Sequence, residues 1–330
     1  MPDVTIYDVA ELANVSISTV SRVLNSPNQV NQATRLRVLA AIDRLNFVPK
    51  AEATARARKG TRRIGVLAPL IAYPSFVQRL RGVATLADAA YEMVIYNVES
   101  AARRDGYLST LPVTRRLDGL IIMALPFGDD AAQRLRAHDL ETVMIECAHP
   151  FFSSVEIDDV AGGEMVARYL IERGHRRFGF IGDSEVPDYA IYTSEKRLVG
   201  YQRILAEAGF GLSPEYLRLG RHGLQEARRL AAELLDLPDP PTAIFAPSDT
   251  QAMGVLRAAR DRGVAVPSDL AVVGFDDVEV ADYIGLTTVR QPLEESGRVA
   301  VDLLLARLVN HARPVQHVTL PLEIVTRETT

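Results

Sequence analysis

The chain has 330 residues, 48% apolar and 24% charged, with a net charge of −5, the make-up of a folded globular protein and not of a disordered one. Its length exceeds one ordinary core and suits two or three domains. No apolar run approaches the roughly 18 residues of a membrane span, the acid-bearing start "MPDVTIYDVAELA" lacks the form of an export signal, and the single cysteine, Cys147, excludes an internal disulfide and a cysteine-clustered zinc site, so a cytoplasmic protein without membrane contact is expected.

The charge is unevenly spread. Residues 1–63 carry ten Lys/Arg against five acids, a balance of +5, which leaves −10 for the remainder. A small basic module is joined to a larger acidic one. Residues 5–46 read as three short helices. In the first, Thr5 is a candidate cap and Ile6, Val9 and Leu12 recur at helical spacing. Asn14 suits the left-handed residue of a tight turn, and Ser16 can cap the second helix. Asn31 can cap the third, whose Leu36, Leu39, Ile42 and Leu45 form an apolar stripe that Pro49 ends. On the second helix, Val20, Val23 and Leu24 face inward, leaving Ile17, Ser18, Ser21, Arg22 and Asn25 outside. A helix–turn–helix at this spacing places that outer face in a DNA major groove. There small hydroxyls reach phosphates and Arg22 can bond a guanine edge. An ordinary surface helix with a solvated arginine is the alternative. "KAEATARARKGTRR" then forms a basic connector.

From Ile64 onward short apolar runs ("RIGVLAP", "YEMVIYN", "LDGLIIMA", "ETVMIE", "RRFGFIGD", "PTAIFAPSD", "LAVVGFDD") alternate with amphipathic stretches. Such runs predict parallel strands covered on both faces. About 265 residues exceed one such sheet, so two doubly wound lobes with a cleft between them are expected, with ligand groups at strand ends. The final "HVTLPLEIVTRETT" has strand character and no leucine heptads.

"TIYDVAELANVSISTVSRVLN", followed by "RLDGLII", "DDVAGGEMVARYLIERGHRRFGFIGD", "KRLVGYQ", "VPSDLAVVGFDD" and "TTVRQPLEESGRVAVDLLL", resembles the LacI/GalR family of transcription regulators over essentially the entire chain. The resemblance implies a small all-α helix-turn-helix headpiece (1–47), a hinge (48–62) and an α/β two-lobed, periplasmic-binding-protein-like core with parallel doubly wound sheets (63–330). The first subdomain would span about 63–160 and 292–320, the second about 161–291 and 321–330. It implies a homodimeric repressor whose core binds a small effector and alters affinity for operator DNA. By this resemblance Thr5, Tyr7, Ser16, Thr19, Ser21, Asn25 and Thr34 contact phosphates, while Ile17, Ser18 and Arg22 read bases. In the family a hinge leucine wedges into the minor groove; here Arg56 takes its place and Lys50 replaces the usual Asn after the proline. An arginine suits a narrow, electronegative groove better than an unstacking wedge. Arg56 and Ala53 are therefore expected to use the hinge with less central kinking; a basic linker adding only salt-dependent affinity is the alternative.

The same resemblance carries effector contacts to Arg197 and Asp276, expected on opposite sides of a neutral polyol, or else paired in a salt bridge across the lobes. Further contacts fall to Glu146, Ser248, Gln291 in a crossover between lobes, Tyr73 and Phe76 as stacking platforms, His222 and Thr193. Glu146 stands where many relatives have Asp, and Ser248 replaces the usual Asn. Carboxylates with hydroxyls, and no glycine-rich phosphate loop, favour a mono- or oligosaccharide over a phosphorylated ligand, with a purine or nucleoside acting as corepressor the alternative. An enzyme is the rival class. The paired acids Asp129–Asp130, Asp158–Asp159 and Asp276–Asp277 suggest glycosidase chemistry only if neighbours share a side, and no nucleophile elbow, Walker loop or HExxH is present. No enzyme, cofactor or metal is expected. A sugar-binding protein without a DNA role is the third reading.

Overall fold

A computed structural model describes residues 4–45, 47, 61–184, 187–191 and 193–330. Among its described residues the basic module forms three α-helices, α1 (Ile6–Leu12), α2 (Ile17–Asn25) and α3 (Gln32–Leu45). Each begins where a polar side chain satisfies free backbone donors. The Thr5 N–H and hydroxyl both donate to the Asp8 carboxylate (2.6 and 2.7 Å), the Ser16 hydroxyl accepts the Thr19 N–H (3.2 Å), and Asn31 accepts that of Thr34 (2.8 Å). Asn14 turns the chain with φ 49°. Val9, Ala10, Ala13, Val20, Val23, Leu24, Val38, Leu39, Ala41 and Ile42 form the core. Two residues of the expected stripes are not in it: Leu12 is 42% and Leu36 56% exposed. At about 100° per residue, Leu12 lies a quarter-turn from Ala13 and Leu36 about 120° from Ile42, so the small Ala10, Ala13 and Ala41 take the buried places.

The core has two sheets built to one plan. The first lobe contains β1 (Arg63–Ala68), β2 (Glu92–Asn97), β3 (Gly119–Met123), β4 (Glu141–Ile145), β5 (Ser153–Glu156) and β11 (His317–Thr319), in the order β11-β5-β4-β3-β1-β2. The second contains β6 (Phe178–Asp183), β7 (Leu217–Gly220), β8 (Ala243–Phe245), β9 (Ala271–Asp276), β10 (Thr287–Arg290) and β12 (Glu323–Val325), in the order β12-β10-β9-β8-β6-β7. All pairings are parallel except β10–β12. Around the sheets lie α4 (Pro74–Val83), α5 (Ala101–Thr114), α6 (Asp129–Ala137), α7 (Asp159–Glu172), α8 (Thr193–Glu207), α9 (Leu224–Leu235), α10 (Asp249–Arg262), α11 (Glu279–Tyr283) and α12 (Leu293–Val309). The chain crosses between lobes three times: from β5 into α7, from β10 into α12, and from β11 into β12. Strand order reverses beside β1 and beside β6, the points where such sheets open a ligand crevice beyond their carboxyl ends. Among the described residues no helix is long and apolar enough to cross a membrane.

The headpiece rests on the first lobe. Asp43 of α3 accepts from Arg134 (2.7 Å) and lies 2.9 Å from His138, Arg116 donates to Asn25 (2.8 Å), and Val113 of α5 joins the headpiece core.

In the second lobe α7 and α8 meet backbone to backbone. A Cβ on Gly163 would stand 1.9 Å from the Arg197 carbonyl oxygen, and one on Gly200 1.9 Å from that of Val160. This approach is what brings Asp159, the first residue of α7, against Arg197 on α8 (2.9 Å). Gly163→Ala must push the helices apart, and overpacking of this kind costs about 1–3 kcal/mol. A lowered midpoint in urea unfolding is expected; an unchanged one would mean that the two helices do not pack in this register.

Candidate functional site

Apart from Asn25, which takes the Arg116 bond to the first lobe, the outer face of α2 is open. Ile17, Ser18, Arg22 and Asn25 are exposed, and Tyr7 on α1 is 67% exposed. The hydroxyls bond one another: Ser16 lies 2.8 Å from Ser18 and 2.9 Å from Thr19. Asn25 donates to the Ser21 carbonyl (2.8 Å), and Thr34 sits in the first turn of α3 next to Arg37 (3.5 Å). Thr5 is occupied with Asp8 at the start of α1. The arrangement puts one guanidinium and several small donors on a single convex surface, the shape that enters a groove. Ala53 and Arg56 lie outside the described residues.

Tyr73, Phe76, Glu146, Thr193, Arg197, His222, Ser248, Asp276 and Gln291 all line one cavity of about 330 Å³ between the lobes. Tyr73 and Phe76 lie at the start of α4, and Glu146 follows β4. Thr193 and Arg197 lie on α8, His222 follows β7, Ser248 precedes α10, and Asp276 ends β9. Gln291 stands in the crossover from β10 to α12. One expectation is corrected. Arg197 and Asp276 do not face each other across the cleft: both belong to the second lobe and stand 3.8 Å apart on one wall. Arg197 is 3% exposed and tied down, donating to Asp159 (2.9 Å) and to the Pro247 carbonyl (2.5 Å), with its guanidinium carbon 3.5 Å from the centroid of the Phe275 ring. One contact that does span the lobes is aromatic: the Tyr73 and His222 rings stack with centroids 5.0 Å apart. Phe76 is buried, with Arg79 above its ring. Ser248 caps α10, accepting the Gln251 N–H (3.1 Å), and Gln251 donates to Asp183 (3.0 Å), which also meets His222 (3.3 Å).

The residue that sequence reasoning missed is Arg79 on α4. It is 2% exposed, lines the same cavity, pairs with Glu146 and donates to Gln291 (2.9 Å). Gln291 in turn donates to Asp276. A polar chain thus runs Glu146–Arg79–Gln291–Asp276–Arg197–Asp159 from one lobe to the other. Each arginine on it has a carboxylate partner and the three carboxylates outnumber the two guanidiniums, an arrangement that disfavours an anion and receives a neutral partner with both donors and acceptors.

Behind this wall lies Asp249, fully buried, taking the Thr288 hydroxyl (2.5 Å) and the Val278 N–H (2.8 Å). Burial, then the neighbouring Asp276, pushes its carboxyl well above 3.8. Burial also raises Asp276, while the Arg197 charge pulls it back. A carboxyl raised on folding favours the folded state fully below its unfolded value and loses that contribution as pH climbs through the folded value. The contribution of these two carboxyls to stability should therefore fall as pH rises above 3.8. Asp249→Asn, whose amide can donate to Thr288 and whose oxygen can keep the Val278 bond, should flatten that fall when unfolding is followed from about pH 4 to pH 8. An equal slope in both proteins would contradict it.

The adjacent acids diverge. Asp158 caps α7 through the Ala161 N–H (2.9 Å) while Asp159 holds Arg197; Asp277 holds Arg290 and Arg327 (2.7 and 2.8 Å) while Asp276 faces the cavity; Asp129 meets His149 (3.0 Å) beside an exposed Asp130. Burial pushes the Cys147 thiol up to about 12. Among the described residues no His, Cys, Asp and Glu cluster is placed to hold a metal ion.

A helix-turn-helix module carrying a two-lobed core of this topology defines a class of transcription regulators that bind DNA. Residues 5–50 match the family model for bacterial regulatory proteins, lacI family, and residues 167–330 that for a periplasmic binding protein-like domain. The chain is 33% identical to the HTH-type transcriptional repressor PurR of Photobacterium profundum, over 94% of each chain. Its fold is similar to that of a transcriptional regulator CelR–cellobiose complex (TM-score 0.71, 30% identity, covering 99% of this chain and 100% of that one). It is similar too to the lac repressor dimer bound to operator and the anti-inducer ONPF (TM-score 0.71, 28% identity, 99% of each). The chain belongs to the lacI family of bacterial regulatory proteins and is a DNA-binding transcriptional repressor of that family. These relatives are regulators, not enzymes.

Proposed function

We propose that the protein is a sugar-responsive cytoplasmic repressor, bound as a homodimer to a pseudo-palindromic operator and released when a mono- or oligosaccharide enters the cleft. The observation that carries this reading is the cavity itself: about 330 Å³, lined from both lobes, with Arg79 and Arg197 each already matched by a carboxylate. A phosphorylated ligand would have to displace those carboxylates, whereas a neutral polyol adds hydroxyls to a network that accepts and donates. The similar fold that holds cellobiose supports it. On DNA, Thr5, Tyr7, Ser16, Thr19, Ser21, Asn25 and Thr34 hold phosphates, and Ile17, Ser18 and Arg22 read bases, in half-sites about 34–36 Å apart. The lac repressor dimer on its operator supports the paired arrangement. Ligand binding closes the lobes about the crossover at Gln291 and shifts the headpieces out of register. A second reading, a purine acting as corepressor, is favoured by the facing Tyr73 and His222 rings, between which a planar base could slide once the lobes open. A thermal-shift panel decides: stabilisation by one or a few mono- or disaccharides supports the sugar, and stabilisation by purines alone overturns it.

A further inference from the structure

The two lobes carry the same recognition device. On the first helix of each lobe's ligand side stands Arg-Leu-x-Gly: "RLRG" at 79–82 on α4 and "RLVG" at 197–200 on α8. In both cases a partner glycine lies under the arginine's own carbonyl: a Cβ on Gly297 would come within 2.2 Å of the Arg79 oxygen, and one on Gly163 within 1.9 Å of that of Arg197. The glycine of each motif repeats the match, Gly82 against the Glu294 carbonyl and Gly200 against that of Val160, both at 1.9 Å. Each arginine then reaches a carboxylate at the end of its lobe's fourth strand, Arg79 to Glu146 beyond β4 and Arg197 to Asp276 at the end of β9. Both carboxylate residues have positive φ, 63° and 115°, an uncommon conformation for a side-chain-bearing residue that directs the strand end into the cleft.

We infer that Arg79, with Glu146, is the specificity-determining contact of the first lobe, so that the effector is a ring with two separate edges of vicinal hydroxyls, one taken by each lobe. The inference rests on the reading of the cleft as an effector site and narrows its ligand. Arg79 Nε is buried and has no hydrogen-bond partner among the described residues, in a side chain that lines the cavity. A buried N–H left unmade is costly, and a ligand oxygen that satisfies it recovers that cost only on binding. A guanidinium beside a carboxylate offers donors and acceptors in one plane, the pattern a vicinal diol complements. Two such pairs linked by Gln291 therefore grip a pyranose from both edges, while a flat base with hydroxyls at one end only engages one pair.

Isothermal titration of the full-length protein with D-glucose, D-galactose, D-ribose, cellobiose, their monodeoxy counterparts, adenine and adenosine tests this. In the wild type, removal of a hydroxyl at either of two positions on opposite edges should weaken binding about 10- to 100-fold. The double variant Arg79→Leu/Glu146→Leu replaces a buried pair by apolar groups, a change that usually leaves folding intact. Arg79→Lys keeps the charge without the fork and serves if the double variant does not fold. Either variant should bind the parent sugar about 10- to 100-fold more weakly and lose the penalty at one edge while keeping the other. Both penalties unchanged, or affinity unchanged, would make the pair structural and overturn the inference. If adenine or adenosine binds in place of any sugar, the sugar reading and the two-edged ring fall together, and Arg79 remains a contact only if both variants weaken that ligand to the same extent. A wild type that binds none of these compounds overturns both.

Discussion

Arg197→Ala should abolish the response to effector and remove about 3–5 kcal/mol of stability, the usual cost of breaking a buried ion pair from one side. The arginine sits between Asp159 at 2.9 Å and Asp276 at 3.8 Å, both buried, and its flat face lies on Phe275. Its removal leaves Asp159 without its ion-pair partner and Asp276 with Arg79 as its remaining cation, and takes away the second lobe's fork. Burial already raises Asp276, and Arg197 is the first group opposing that rise. Without it Asp276 should take up a proton at still higher pH, which turns one of its two acceptor oxygens into a donor and changes the pattern it offers a diol. Urea unfolding reads the first effect, and effector titration of the folded variant reads the second. Unfolding within about 1 kcal/mol of wild type together with a normal response would remove Arg197 from the site.

Arg22→Ala should weaken binding to a preferred duplex by about 1–3 kcal/mol, roughly 5- to 150-fold, and relax selectivity at one base pair. Because Arg22 is exposed on α2 while Val20 and Val23 of the same helix are fully buried, the headpiece should fold as before. The salt dependence separates base reading from phosphate contact. A base reader leaves the slope of affinity against salt nearly unchanged; a phosphate contact lowers it by about one. A uniform loss across sequences with a reduced slope would move Arg22 from the reading set to the backbone set.

Much of the architecture is legible because burial on both faces leaves a continuous apolar run: β1, β3, β4, β6, β8 and β9 all stand out for that reason. β5 and β10 do not, since "SSVE" and "TTVR" are hydroxyl-rich and resemble turn sequence. Their hydroxyls are nonetheless buried and paired: Ser153 takes the Gln316 N–H (3.1 Å), Ser154 meets His317 (2.9 Å), and Thr288 binds Asp249. Those partners come from far along the chain, so no local pattern announces them. In the cleft, family motifs lead to nine positions that do converge on one cavity. They fail on relative placement: two residues thought to oppose each other share a lobe, because β6 and β9, the strands that precede α8 and end at Asp276, belong to one sheet. Arg79 escapes notice because a charged residue in "FVQRLRGV" reads as solvent-facing. The available signal is its spacing with Phe76 and Val83, which puts it on the inner face of α4.

The measurement that bears most directly on this account is the affinity of the full-length protein for a duplex selected from random sequence, at one fixed salt concentration, with and without a saturating amount of the sugar found in the melting panel. The sugar should weaken DNA binding by about 5- to 150-fold, and the effect should disappear in Arg197→Ala. DNA affinity that stays the same when the sugar is bound would contradict it.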